Sequence, residues 1–315
     1  MQYRIITSVE MSRPGLGHLS ANKGADSPSA GLEGVELLDS HAHVVADDPQ
    51  RYPLAPLGGV PGPANLEAPM TAERLLAELA RCRVANAILV QRASLYGFDN
   101  RYVCESAARY PERFAAVVSI DAHAHDGAAQ VHRWVRQSGA VGIRLMEPQR
   151  EADLSWLISP PVWDAALELD VPVCVHFFRW NRLAGLAALD EILRSRPQAR
   201  VVVDHLSNLP AESGPPDYGL DAPLLALCRY SRVALKFTTI PLGALEKQRI
   251  DTAALIRRVA VEFGAERLMW GSDVTQSKGS YAYMIGLAAR ATASLPGAER
   301  QQVLRGTALA MYGRR

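Results

Sequence analysis

His41 and His43 stand one residue apart at the end of the apolar run VELLDSHAHVV (35–45), just behind Asp39. On a strand, alternate side chains share a face, so both imidazoles point the same way, ~7 Å apart along the chain. Further polar residues close other short apolar runs: His176 in PVCVHFF (172–178), Asp204 and His205 in RVVVDHL (200–206), and Asp273 in RLMWGSD (267–273). Neutral imidazoles with a carboxylate suit a borderline ion such as Zn2+ or Mn2+, bound with one position open to water. Such an ion lowers the pKa of its water toward ~7, and a histidine and an aspartate nearby would handle proton transfer.

Each residue also has a structural reading. A histidine at a strand end can be a hydrogen-bonded loop residue, and Asp273 in GSD can cap the next helix. Arg144 of AVGIRLM (140–146) and Lys236 of RVALKFT (232–238) can be ion-pair partners. The joint pattern is stronger than its members, because four of the eight histidines and one aspartate fall at the ends of the first, fifth, sixth and eighth strands. A second pair, His123 and His125 in SIDAHAHDG, follows Asp121 after its apolar run has ended. It reads as loop and pre-helix residues, while His132 and His18 read as surface and tail residues.

Eight β-prone runs would position these side chains: 35–45, 86–91, 114–120, 140–146, 172–178, 200–206, 232–238 and 267–273. All are apolar nearly throughout, as parallel strands buried on both faces must be. Amphipathic segments at 71–83, 126–139, 161–170 and 251–264 alternate with them, with Thr71, Asp126 and Asp251 as N-caps and Gly139 and Gly264 as stops. Strand–helix alternation over this length predicts a single-domain α/β protein, a (β/α)8 TIM barrel spanning 34–315 behind a poorly ordered tail, 1–33. A doubly wound sheet is the alternative, without a GxGxxG fingerprint after the first strand to support it. Two irregular segments, the proline-rich 46–70 and 207–223, leave strand C-termini, where barrel active sites are built.

The charge balance, 34 basic against 33 acidic residues, argues against a nucleic-acid partner. No run approaches the ~18 apolar residues of a membrane span. Four widely spaced cysteines, Cys82, Cys104, Cys174 and Cys228, read as buried free thiols, which fits a cytoplasmic protein.

The motifs LDSHAHV, VHFF, VVVDHLSNLP and ERLMWGSDVTQ together resemble the amidohydrolase superfamily of TIM-barrel metal-dependent hydrolases, from about Val35 to the C-terminus. LVQRASLYGFDNRYV and SGAVGIRLMEP resemble its branch of 2-pyrone-4,6-dicarboxylate lactonase, 4-sulfomuconolactone hydrolase and sugar lactonases. The resemblance implies that His41, His43, His176 and Asp273 hold one divalent metal, Zn2+ or Mn2+. It also implies that His205 polarises the substrate or shuttles protons, and that Asp273 accepts a proton from water. Arg144 would clamp a substrate carboxylate or sulfonate. A second ion is not expected, since Arg144 stands where binuclear members carry a bridging residue and Glu147 lies too far along. The pyrone-dicarboxylate type works without a required metal, so metal-free catalysis stays open.

The expected activity is opening of a small anionic lactone. Arg144, Lys236 and Arg92 would hold the acid group, with Tyr52, Tyr96 and Trp180 as wall residues or as packing. A metal-dependent decarboxylase of an aromatic or muconate-type acid is one alternative, and a non-catalytic ligand-binding barrel is another. A homo-dimer or other homo-oligomer is compatible with the sequence.

Overall fold

A computed structural model describes residues 31–62, 64–150 and 153–313. Eight parallel strands follow one another around a barrel: β1 (Leu37–Ala42), β2 (Val84–Val90), β3 (Phe114–Ser119), β4 (Gly142–Met146), β5 (Val173–His176), β6 (Val201–Val203), β7 (Val233–Thr238) and β8 (Leu268–Gly271). Helices cover the outside, as the strand–helix alternation predicts. Thr71 caps Ala72–Arg81 through Arg74 N, and Asp251 caps Thr252–Phe263 through Ala253 N and Ala254 N. Asp126 stands at the start of Gly127–His132, but its carboxylate accepts from Gln130 Nε2 at 2.8 Å rather than from a backbone N–H. Gly139 and Gly264 adopt φ of 72° and 85° just past their helices, a conformation with little cost for glycine.

The strand residues sort into two apolar sets. Leu37, Leu89, Val118, Ile143, Val175, Val203, Leu235 and Leu268 face the helices in the main core. Leu38, Val117, Cys174, Val202, Ala234 and Met269 fill the barrel interior above Tyr312 and Ala308 of the C-terminal helix. Two residues further along four of these strands, the same inward face carries polar groups: Ser119, His176, Asp204 and Lys236. The site therefore rests on an apolar floor.

β1 departs from simple alternation. Leu37 and Ala42 both join the outer core although they lie five residues apart, so the chain changes face between them. The register shifts between Asp39 and Ala42, and this irregularity turns His41 and His43 into the barrel mouth. The strand expected over 200–206 stops at Val203. His205, Leu206, Ser207 and Asn208 all take left-handed φ between 51° and 54°, a strained turn of the kind found at functional sites.

Most of the tail expected over 1–33 lies outside the described residues; Leu32, which is described, is buried in the core. Among the described residues no helix is long and apolar enough to cross a membrane. Cys82, Cys104, Cys174 and Cys228 are all free thiols, the first three buried.

Candidate active site

β8 is stitched to β1 by polar groups. Asp39 Oδ1 accepts from His41 N at 3.0 Å and Ser272 N at 2.8 Å, and its Oδ2 accepts from Tyr281 Oη at 2.9 Å. Burial pushes the Asp39 carboxyl up. Asp273 donates its N–H to the His41 carbonyl at 2.7 Å, and its own φ is 56°. These bonds place the Asp273 carboxylate against both histidines.

His43 Nδ1 lies 2.7 Å from the Val90 carbonyl, which can only accept, so Nδ1 carries the proton and Nε2 is bare. That Nε2 faces Asp273 Oδ1 at 3.1 Å. His41 Nε2 is 3.7 Å from the same oxygen. Two opposed lone pairs call for a cation. His41 Nε2 and Asp273 Oδ2 are also buried without a hydrogen-bond partner among the described residues. The ligand atoms of His41, His43 and Asp273 lie within 4.8 Å of one another, and this donor set fits a divalent metal.

His41, Asp204 and His205 form a second group within the same spacing. A cation of the chain already serves it, because Lys236 Nζ sits 3.1 Å from Asp204 Oδ1, with both side chains fully buried. His41 Nδ1 has Asp204 Oδ1 at 3.5 Å and Lys236 Nζ at 3.2 Å. Nδ1 therefore sits between a carboxylate oxygen and a donor-only ammonium, the ammonium being the nearer.

Burial, then the Lys236 and Asp204 charges acting in opposite senses, leaves His41 well below the usual histidine range. Burial lowers His43 against the pull of Asp273, and lowers His205 against Asp273 and Asp204. His176 lies well below the range through burial and the neighbouring Arg144 charge. The imidazoles are therefore neutral bases. Asp204 is held well below the carboxylate range by Lys236 and Arg144, against burial.

A cavity of about 710 Å³ opens above this cluster, large enough for a small cyclic substrate. His43, His176, His205 and Asp273 reach it, as do Arg92 and Arg144. His41 lies beneath. Leu57 and Gly58 of the proline-rich segment form part of the wall, and Asn208 contributes from the segment after β6. The former segment is fixed by backbone bonds from Ala55 N to Leu95 O and Leu57 N to Ala93 O, at 2.8 and 2.9 Å.

Three expected substrate contacts stand elsewhere. Lys236 lies below the cavity, fully buried and paired with Asp204, because its strand position faces the barrel interior. Tyr52 donates to Glu105 at 2.7 Å and packs on Tyr102, and Tyr96 Oη accepts from Ala46 N at 2.9 Å. Both tyrosines brace the proline-rich segment. Trp180 stacks on Phe178, and Phe178 is the ring that reaches the cavity. Arg92 does line it, with Nη1 donating to Gln276 Oε1.

Arg144 lines the cavity, yet its Nε donates to Asp204 Oδ2 at 2.8 Å and its Nη2 to His176 Nδ1 at 2.7 Å. His176 falls outside the two close ligand groups. His123 is exposed and pairs with Ser155 Oγ, His125 is exposed, and His132 faces Glu168, all away from the cavity. Sequence reasoning gave no role to Asp204, although its place two residues beyond inward Val202 marks it, and passed over Arg150 and Gln276 in the cavity wall.

An eight-stranded barrel with a His-x-His pair at the end of β1 and an aspartate after β8 is an arrangement that suits a divalent metal at the barrel mouth. The chain belongs to the amidohydrolase family, whose model matches residues 38–314. It is 28% identical over 243 residues to L-fucono-1,5-lactonase of Burkholderia ambifaria, covering 75% of this chain and 79% of that one. A probable 2-pyrone-4,6-dicarboxylic acid hydrolase from Acinetobacter baumannii, solved with citric acid bound, superposes with a TM-score of 0.65 at 18% identity, covering 89% of this chain and all of that one, 100%. The 5-carboxyvanillate decarboxylase of Novosphingobium aromaticivorans, solved with manganese and 3-methoxy-4-hydroxy-5-nitrobenzoic acid, superposes with a TM-score of 0.65 at 14% identity, covering 90% and 98%. At those identities the solved structures share the fold.

Proposed function

We propose that the protein hydrolyses the ring ester of a small lactone bearing an anionic substituent, with one divalent metal held by His41, His43 and Asp273. The observation that carries this reading is the bare His43 Nε2 facing Asp273 Oδ1 at 3.1 Å, under a cavity walled by arginines. The similarity to a lactonase supports the reaction class. Zn2+ suits the two imidazoles and one carboxylate, and Mn2+ is the alternative. When bound, the ion would polarise the lactone carbonyl and make water a nucleophile near neutral pH.

The chain's own groups do the rest. Asp273, ionised across the working range, takes a proton from the attacking water and returns it to the departing ring oxygen. The acyl–oxygen bond breaks, and the product is a hydroxy acid that releases a proton near pH 7. His205, held by Thr238 Oγ1 at 2.6 Å, borders the reacting carbonyl. Arg92 and Arg150 supply positive charge at the wall for the substrate's acid group. The free thiols are consistent with a reducing, cytoplasmic setting.

The test is a panel of carboxylated and neutral lactones followed by pH drop, alongside aromatic and muconate-type acids followed for CO2. Lactone opening that is lost in Asp273→Asn is expected. Release of CO2 without lactone opening would replace this reading with the decarboxylase, and ligand binding without turnover would replace it with a binding barrel.

A further inference from the structure

We propose that a groove beside His205 is a second binding subsite, which takes an uncharged alkyl or aryl arm of the lactone. The proposal deepens the lactonase reading and rests on it. The groove holds about 320 Å³ and lies between the segments that follow β6 and β7. His205, Asn208 and Ile240 line both it and the main cavity, so the two adjoin across those three side chains. Its floor is apolar, built from the buried Leu206, Leu209, Ala211, Leu245 and Leu255. Ile240 and Ala244, on the helix Thr239–Lys247, form one side. The charged groups that line it, Arg179 and Glu212, are paired with each other, Arg179 Nη2 donating to Glu212 Oε2 at 2.7 Å. Asn208 gives its amide to the Phe177 carbonyl at 2.6 Å. A lining whose charges are already matched suits an uncharged, apolar ligand.

The junction is made by the strained turn after β6. That strand ends after three residues, and the left-handed run His205–Asn208 swings the chain outward, so that Leu206 and Leu209 face the groove. Ile240 stands at the same junction and is left 44% exposed. Covering such a side chain with an alkyl arm removes apolar surface of both from water. Placement across the barrel points the same way. In a ring of eight strands β6 stands opposite β2, so the groove lies across the mouth from Arg92, which follows β2. A substrate whose acid group meets Arg92 therefore directs its far end toward the groove, with the ring between them at His43 and Asp273. The substrate class is an elongated lactone, acidic at one end and apolar at the other, rather than a compact polyhydroxy one.

Carboxylated δ-lactones that differ only in an n-alkyl chain, methyl to hexyl, test it by steady-state kinetics. One series carries the chain on the ring carbon next to the ring oxygen, another on the carbon next to the carbonyl. In one of them kcat/KM should rise about two- to fourfold per added methylene, as removal of a CH2 from water allows. Ala244→Trp, at an exposed helix position, fills the groove, and Ile240→Ser strips its apolar junction. The methyl lactones should turn over in Ala244→Trp at close to the wild-type rate, while the gain with chain length shrinks in at least one of the two variants. n-Alkylsuccinates of the same chain lengths, followed by calorimetry, give the same comparison without turnover. If the protein opens no lactone, the lactonase reading fails, and the alkylsuccinate affinities alone decide the groove. No gain with chain length in the wild type, across lactones and alkylsuccinates, would overturn the proposal. So would a gain of full size in both variants.

Discussion

The backbone N–H of Asp273 meets the carbonyl oxygen of His41 at 2.7 Å, so the bond that joins the last strand to the first also sets the carboxylate beside the histidine pair. Closure of the barrel and assembly of the site are one event. The Ala42–Val274 bridge and the Ser40 Oγ to Trp270 O bond at 2.6 Å belong to the same seam.

Gly271 tests this seam. A Cβ there would stand 2.4 Å from His41 Cβ and 2.8 Å from His41 N, contacts no rotamer change relieves. Gly271→Ala should force β8 from β1, cost about 1–3 kcal/mol as overpacking does, and depress turnover more than stability. Thermal melts and steady-state kinetics check it. Wild-type values in both would show that the close approach is not needed.

Asp204 is the shared acceptor of two buried cations, Arg144 at 2.8 Å and Lys236 at 3.1 Å. Asp204→Asn leaves both unbalanced and should cost about 3–5 kcal/mol in chemical denaturation. Adding Lys236→Met to that variant should recover part of the loss, because one stranded charge is removed. Strict additivity of the two changes would argue against the pairing.

Metal removal is the third measurement. Chelator treatment should abolish lactone opening, and Zn2+ or Mn2+ should restore it with close to one ion bound per chain. His41→Asn and His43→Asn should not recover under the same addition. Undiminished activity in protein free of metal by elemental analysis would assign the chemistry to the polar groups alone.

A fourth prediction lies outside the site. Burial opposes ionisation of Asp190, but Tyr230, Arg229 and Arg194 outweigh it and hold the carboxyl below its ordinary value. With the native pKa depressed, the stabilisation is present above the unfolded value of ~3.9 and is lost as pH falls through the native one. Asp190→Asn should lower the urea midpoint at pH 7, and the gap to wild type should narrow toward pH 3. A gap of constant size would mean that packing, not charge, carries the effect.

Much of this was legible in one dimension. Apolar runs with polar ends gave the eight strands, and the His41–His43 pair announced its site because a two-residue spacing on a strand shares a face. The boundaries of β6 were not legible, since RVVVDHL has the composition of a strand throughout while four consecutive left-handed residues turn the chain after Asp204. Nor did alternation predict the change of face inside β1, which depends on how Asp39 is hydrogen-bonded by Ser272 and Tyr281, more than two hundred residues away.

The sequence by itself determined the barrel, its family and the residue types at the strand ends, because burial on both faces and period-two patterning are local properties. Tertiary structure alone decided which of those residues reach the cavity. Lys236 and Arg92 look equally suited to an anion in the sequence, yet one is sealed under the site against Asp204 and the other lines the wall. The protonation of His43 was decided there too: the Val90 carbonyl takes its Nδ1 proton and leaves Nε2 bare. Hydrogen-bond partners brought together from distant strands set that chemistry, and no spacing along the chain encodes them.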